Sequence, residues 1–220
     1  MTRPLVIFIL TPFLLVWGLL LYGWIGTPPV LQLRLVAPTW TSYISRYSQK
    51  TGRSVRWNQV PIEQISPWLQ QAVVCAEDDQ FFVHPGFNVE AIKRAWRIDQ
   101  RRKRLAFGGS TITQQLARNL FLTPDKNFWR KFQELLIALK LELFLPKVRI
   151  LELYLNVAEW GPGVFGAEQA ARYHFAKSAI HLTRSEAAYL AAIIPRAAHL
   201  KPGQTGYVTR EKMNRILRQM

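Results

Sequence analysis

Apolar and polar positions recur at helical spacing along most of this chain. Residues 5–25, LVIFILTPFLLVWGLLLYGWI, carry no charged side chain. About 20 such residues span a bilayer core as a helix, and Tyr22 and Trp24 suit its interface. No small-residue cleavage site follows in YGWIGTPP, so the pattern predicts a retained anchor over 1–25. Arg3 precedes the span and Arg34, Arg46 and Lys50 follow it, which leaves orientation open. GTPPV breaks the helix, and residues 26–60 read as a juxtamembrane connector. Within it VLQLRLV alternates like a strand, and SVRW is a second candidate. From Pro61 the period turns helical: Ile65, Trp68, Leu69, Ala72 and Val73 share a face that runs into Glu77. Asn88 can cap a second helix, with Glu90 in its first turn and Ile92 and Trp96 on one face. RIDQRRKR, residues 97–104, is either a solvated helix end or a loop. Ser110 can cap a helix through Leu120. Asn127 opens a long helix whose buried stripe reads Phe128, Phe132, Leu135, Leu136, Leu139 and Leu143. Pro146 separates it from a helix through Leu155. WGPGVFG is a rigid, turn-rich loop, and Thr183-x-x-Glu186 is a capping box for AAYLAAII. TREKMNRILRQM forms a short basic terminal helix. The pattern predicts a mostly α domain over 61–220, hung from one membrane helix.

Charge narrows the partners. The 220 residues hold 29 Lys plus Arg against 14 Asp plus Glu, a net +15, and all but Arg3 of these charges lie beyond residue 25. Such a surface seeks a polyanion or an anionic membrane. The basic run Arg101 to Arg104 belongs to no nucleic-acid reader fold, so lipid headgroups or an anionic lipid substrate fit better. The single cysteine, Cys75, sits in an apolar helical context that suits packing rather than nucleophilic chemistry. The four histidines show no HExxH spacing, which argues against a zinc site.

Three stretches can carry chemistry. Glu77, Asp78 and Asp79 stand side by side in a chain poor in acids. Neighbours on a helix point about 100° apart, so the three cannot share a face. Val73 is inward and Glu77 lies one turn on, at the core edge, where a carboxylate can serve as a general base. The alternative is a solvated helix end. GGSTITQQLARN, 108–119, is either an anion cradle built from first-turn amides or an ordinary capped helix. In KNFWRKFQE, 126–134, Arg130 and Glu134 are either a surface pair or a second carboxylate flanked by phosphate-binding cations.

EDDQFFVHPGFN, GGSTITQQLARN, RKFQE and ILELYLNVAEWGPGVFGAEQAARYHFAK, in that order, resemble the motifs of glycosyltransferase family 51, the peptidoglycan glycosyltransferases. The resemblance covers 61–195. It implies a lysozyme-like helical glycosyltransferase domain with a smaller membrane-proximal lobe. The implied reaction joins MurNAc C1 of the undecaprenyl-pyrophosphate-linked growing glycan to the GlcNAc 4-hydroxyl of lipid II, with inversion. By resemblance Glu77 is the catalytic base, and Glu134 is the second catalytic Glu, which orients groups or a divalent cation near the pyrophosphate. Asp78, His84 and Gly86 shape the site, and Ser110, Gln114, Gln115, Arg118, Lys126, Arg130 and Lys131 bind the sugar-pyrophosphate. The resemblance admits a divalent cation (Mg or Mn) at the pyrophosphate and needs no organic cofactor. It also implies an inner-membrane, periplasm-facing location, with membrane lipids and cell-wall synthesis or division proteins as partners. No S-x-x-K pattern occurs, so uncrosslinked glycan is the expected product. Asn88 stands where Asp is common, Arg118 where Lys is frequent, and Lys126 where Arg is usual; the last loses bidentate phosphate geometry. The rival readings are a membrane-bound lysozyme-like hydrolase, which would place an acid on a leaving sugar oxygen, and a non-enzymatic cell-wall scaffold.

Overall fold

The computed structural model describes residues 11, 14, 17, 18, 21, 23–55, 57–90, 93, 109–125, 127–199 and 207–220. Most of the anchor prediction, Lys126, and the basic run 97–104 lie outside these. Thr11, Leu14, Trp17, Gly18, Leu21 and Gly23 to Ile25 are helical. Among the described residues no helix is long and apolar enough to cross a membrane.

The first full helix, α1 (Ser42–Thr51), falls inside the stretch read as connector. Thr41 caps it by accepting from the Ile44 amide, and Gly52 ends it in the left-handed conformation. VLQLRLV is not a strand. Leu31–Arg34 form a 3-10 turn, because Val30 and Leu33, three apart, both enter the core while Leu31 and Leu35 stay outside. SVRW is not a strand either: Ser54, Val55 and Trp57 are irregular. Trp57 is held instead by its indole N–H, which donates to the Asn156 carbonyl. Asn156 also exchanges two hydrogen bonds with the Val60 backbone, strapping this segment to the domain.

Helix α2 (Pro67–Glu77) begins with Pro at its first turn and buries Leu69, Ala72 and Val73, whereas Trp68 is exposed. Helix α3 (Ile112–Phe121) is capped by Thr111, one residue after the predicted cap. Helix α4 (Phe128–Phe144) starts at Asn127 as expected, its side chain accepting from the Arg130 amide. The predicted stripe of α4 holds at Leu136, which is buried, and in part at Phe132, Leu135 and Leu139, which are half-buried, but fails at its ends. Phe128 is 88 % exposed and Leu143 67 %, while Glu134, Leu136, Ile137, Ala138, Lys140 and Leu141 face inward. Both faces of α4 are rich in apolar residues, so periodicity alone could not tell the core side from the outer one.

Helix α5 (Lys147–Val157) leads into a two-stranded antiparallel hairpin, β1 (Glu159–Gly161) and β2 (Val164–Phe165), where a loop was expected. Trp160 fills the space beneath it and is fully buried. Helix α6 (Ala167–Phe175) follows, then α7 (Arg184–Ile193), whose capping box is formed as predicted. The alanine-rich surface of α7 lets α2 and the C-terminal helix α8 (Tyr207–Gln219) approach closely. α3 packs between α4 and α5, and α1 lies against α3. One continuous core joins these groups, and the N-terminal end of α3 meets the C-terminal end of α2 at the acidic motif.

Candidate active site

Helix α2 ends at Glu77, and the Asp78 that follows turns the other way. Asp78 is buried. Its carboxylate accepts from His84 Nε2 at 2.9 and 3.0 Å and from the Ile112 amide at 3.0 Å. That amide opens α3, so the anion seated there is the protein's own Asp78. A second first-turn amide, that of Gln114, goes to Thr111 Oγ1. These two bonds favour the capped-helix reading of this stretch over an open cradle. The Gly86 amide donates to His84 Nδ1 at 3.1 Å, which places the ring proton on Nε2, facing Asp78. Gly86 has φ +87°, and a Cβ there would lie 2.7 Å from Glu142 Cγ. Thr111 Oγ1 donates to the Gly86 carbonyl at 2.7 Å. Asp78, His84 and Gly86 thus form a buried brace that fixes the end of α2 against the start of α3.

Glu77 faces a cleft of about 220 Å³ lined also by Tyr43, Gln115, Arg118, Tyr154 and Glu159. Its side chain is 11 % exposed. Oε2 accepts from Gln115 Nε2 at 3.1 Å, and Oε1 from Lys212 Nζ of α8 at 3.0 Å. The Tyr154 hydroxyl donates to Gln115 Oε1 at 3.0 Å, which turns the amide N–H₂ toward Glu77. Burial, reinforced by the charge of Glu77, holds the Tyr154 phenol well above its ordinary range, so it stays a donor. Burial also raises Tyr43, against the opposing pull of Arg118 and Arg130. Arg118 Nε is buried with no hydrogen-bond partner among the described residues. An orphaned guanidinium N–H beside a cleft is a ready donor for an anion.

The second acid lies on the other side of α3's first turn. Glu134 is fully buried; one oxygen accepts from Arg130 Nη1 and the other from Lys131 Nζ at 2.5 Å. Lys131 also donates to Ser110 Oγ at 2.9 Å and Gln114 Oε1 at 3.3 Å. Gln114 and Gln115 are adjacent on a helix and point about 100° apart. One therefore serves the Glu134 cluster and its neighbour serves Glu77. Arg130 and Glu134 are a buried pair, not a surface one. Each Glu134 oxygen accepts from one cation and keeps a second lone-pair site. Among the described residues no three His, Cys, Asp or Glu side chains converge as a metal site. Cys75 is half-buried, and burial together with Asp79 pushes its thiol pKa up.

Sequence reasoning missed Tyr43, Tyr154 and Lys212. Tyr43 was within reach, since Thr41 and Gly52 mark its helix. Lys212 lies 135 residues from Glu77, and no local pattern links them.

A helical domain with this ordered set of acids, amides and cations defines a transglycosylase: residues 44–220 match the transglycosylase family model, and the chain belongs to that family. The match begins inside the stretch read as connector, in keeping with the position of α1. The chain is similar to three proteins named biosynthetic peptidoglycan transglycosylase. That of Nitrosospira multiformis is 51 % identical over 147 residues, covering 67 % of this chain and 64 % of the relative. That of Nitrosomonas eutropha is 46 % identical over 170 residues, covering 75 % and 70 %. That of Dechloromonas aromatica is 45 % identical over 186 residues, covering 82 % and 78 %. The mostly helical architecture fits the lysozyme-like domain that the motifs imply.

Proposed function

We propose that this chain is a peptidoglycan glycosyltransferase that polymerises lipid II into glycan strands. The GlcNAc 4-hydroxyl oxygen of lipid II bonds to MurNAc C1 of the lipid-linked growing chain, and its proton passes to Glu77. The bond from C1 to the pyrophosphate oxygen breaks, and its electron pair leaves with undecaprenyl pyrophosphate. Attack opposite the leaving group inverts C1. The observation that carries this reading is the cleft lined by both a carboxylate, Glu77, and a guanidinium, Arg118, whose Nε has no partner among the described residues. A carboxylate offers about four lone-pair sites, and Lys212 and Gln115 occupy two, so Glu77 keeps capacity for a proton. Arg118, Arg130 and Lys131 supply positive charge for the departing pyrophosphate, the group on which charge develops. Glu134 orients Arg130 and Lys131 and takes no proton.

The domain works at the outer face of the cell inner membrane, with residues 5–25 as a single span. The exposed apolar side chains Leu14, Trp17, Leu21, Phe128, Trp129 and Leu143 support contact with lipid. A reporter active only in the cytoplasm, fused after Gly52, stays silent in this arrangement; activity overturns it.

The test of function is the purified full chain in detergent with lipid II, read as glycan length and released undecaprenyl pyrophosphate. Glu77→Gln should lower the rate about 10²–10⁴-fold while undecaprenyl pyrophosphate binds as before. Polymerisation by Glu77→Gln at the wild-type rate removes Glu77 as base.

A further inference from the structure

We propose that Lys212 is a positioning residue for Glu77, which makes the C-terminal helix part of the active site. This rests on the reading of Glu77 as the base. The last torsion of a glutamate is broad, so a free carboxylate turns readily. Here each oxygen is tied once, Oε1 to Lys212 Nζ and Oε2 to Gln115 Nε2. The two ties come from different helices, α8 and α3, and together fix both the position and the rotation of the carboxylate plane. Gln115 is in turn held by Tyr154, while Lys212 depends on the seating of α8.

That seating is firm. Ile216 and Thr209 are buried, Arg184 of α7 donates to the Leu217 carbonyl at 2.8 Å, and Gln71 of α2 donates to the Met220 carbonyl at 3.1 Å. Gln71 is on the same helix as Glu77, so α8 is fastened to the element whose end it clamps. Lys212 itself is 27 % exposed, and packing does not require its head group.

Charge and geometry pull in opposite directions here. The ammonium by itself opposes arrival of a proton at the carboxylate, whereas a fixed carboxylate is aimed at the acceptor hydroxyl. A misplacement of about 1 Å can cost roughly 10² in rate, and the proposal is that geometry dominates. Lys212→Met and Lys212→Gln should then lower kcat about 10–100-fold. KM for lipid II and binding of undecaprenyl pyrophosphate should stay within about twofold of wild type, because the cations at Arg118, Arg130 and Lys131 are untouched. Lys212→Arg should recover most of kcat.

The deciding experiment is a double-mutant cycle with the full chain in detergent, using Glu77→Gln, Lys212→Met and the pair. If Lys212 acts through Glu77, adding Lys212→Met to Glu77→Gln costs nothing further. Unfolding temperature and undecaprenyl pyrophosphate binding confirm that each variant is folded, and Lys212→Gln stands in should Lys212→Met unfold. Unchanged kcat in both Lys212 variants, or an equal loss from Lys212→Met in the Glu77→Gln background, overturns the proposal. A fully active Glu77→Gln enzyme overturns instead the reading of Glu77 as base, and the two failures are told apart by that single variant.

Discussion

Removing Glu134 should destabilise the protein through the cation it leaves behind. Arg130 is 13 % exposed at its side chain and pairs with a carboxylate that has no exposure at all. Deleting one member of such a buried pair costs about 3–5 kcal/mol, since the other charge stays desolvated. Lys131 is 37 % exposed and can turn to water, so its part in the loss is small. For a domain of this size each kcal/mol shifts the unfolding temperature by about 2–4 °C, so Glu134→Ala should lower it by about 6–20 °C. Replacing both partners, Arg130→Met with Glu134→Leu, should restore most of that loss, because apolar groups of similar volume match a buried pair. The double variant should still bind undecaprenyl pyrophosphate weakly, having lost Arg130. Thermal unfolding in detergent, followed by circular dichroism, measures the first effect, and equilibrium binding the second. An unfolding temperature within 2 °C of wild type for Glu134→Ala would refute the claim that this pair is buried and coupled.

Two further outcomes follow from named contacts. Gly86→Ala forces a side chain onto a φ of +87° and against Glu142; about 1–3 kcal/mol of strain should lower the unfolding temperature by about 2–12 °C, and an unchanged value contradicts the brace described at Asp78 and His84. Burial holds the His174 pKa below its ordinary 6.5, opposed in part by the hydrogen bond to the Trp160 carbonyl. The unfolded chain therefore takes up a proton first: the stability tied to this residue is complete above about pH 6.5 and declines as pH falls from there toward the lowered folded value. His174→Gln should flatten that part of the stability profile, and an identical profile for both proteins removes His174 as its source.

Local signals in the sequence were reliable where one turn decides the outcome. Asn127 and the Thr183–Glu186 box each satisfy amides three residues away, and both caps form as read. The cap of α3 moved by one, from Ser110 to Thr111, because Ser110 is drawn to Lys131 instead. The ends of the α4 stripe, Phe128 and Leu143, were read as buried although they are exposed, and the inward side was missed where it carries Glu134 and Lys140, two charges that only their partners make tolerable. Those partners, Arg130 and Lys131 for one and the carbonyls of Trp24 and Thr27 for the other, could not be assigned by hydropathy. That Gln114 would accept from Lys131 while Gln115 donates to Glu77 was not legible, since both were read only as polar groups on the first turns of one helix. Tyr43 reaches the cleft and Lys212 reaches Glu77 from helices far away along the chain, and only the fold brings them in.

Lys140 is buried within α4, where its ammonium donates to the carbonyls of Trp24 and Thr27 and sits 4.9 Å from the Trp24 ring. Burial lowers its pKa. A few residues earlier on the same helix, Leu136 and Phe132 crowd so closely on Gly23 that a methyl group there would fall 2.7 Å from Leu136 Cδ1. α4 is therefore a rigid gauge block. Six residues of helix, a rise of roughly 9 Å, separate Glu134 from Lys140, and the N-terminal segment is bolted on along that length, at Leu136 and Lys140, as well as at Phe132 one turn before. Any tilt or lift of that segment is handed to the Glu134 cluster by the rod itself, so under the function proposed above the height at which the N-terminal segment rests would set the height at which a pyrophosphate is met.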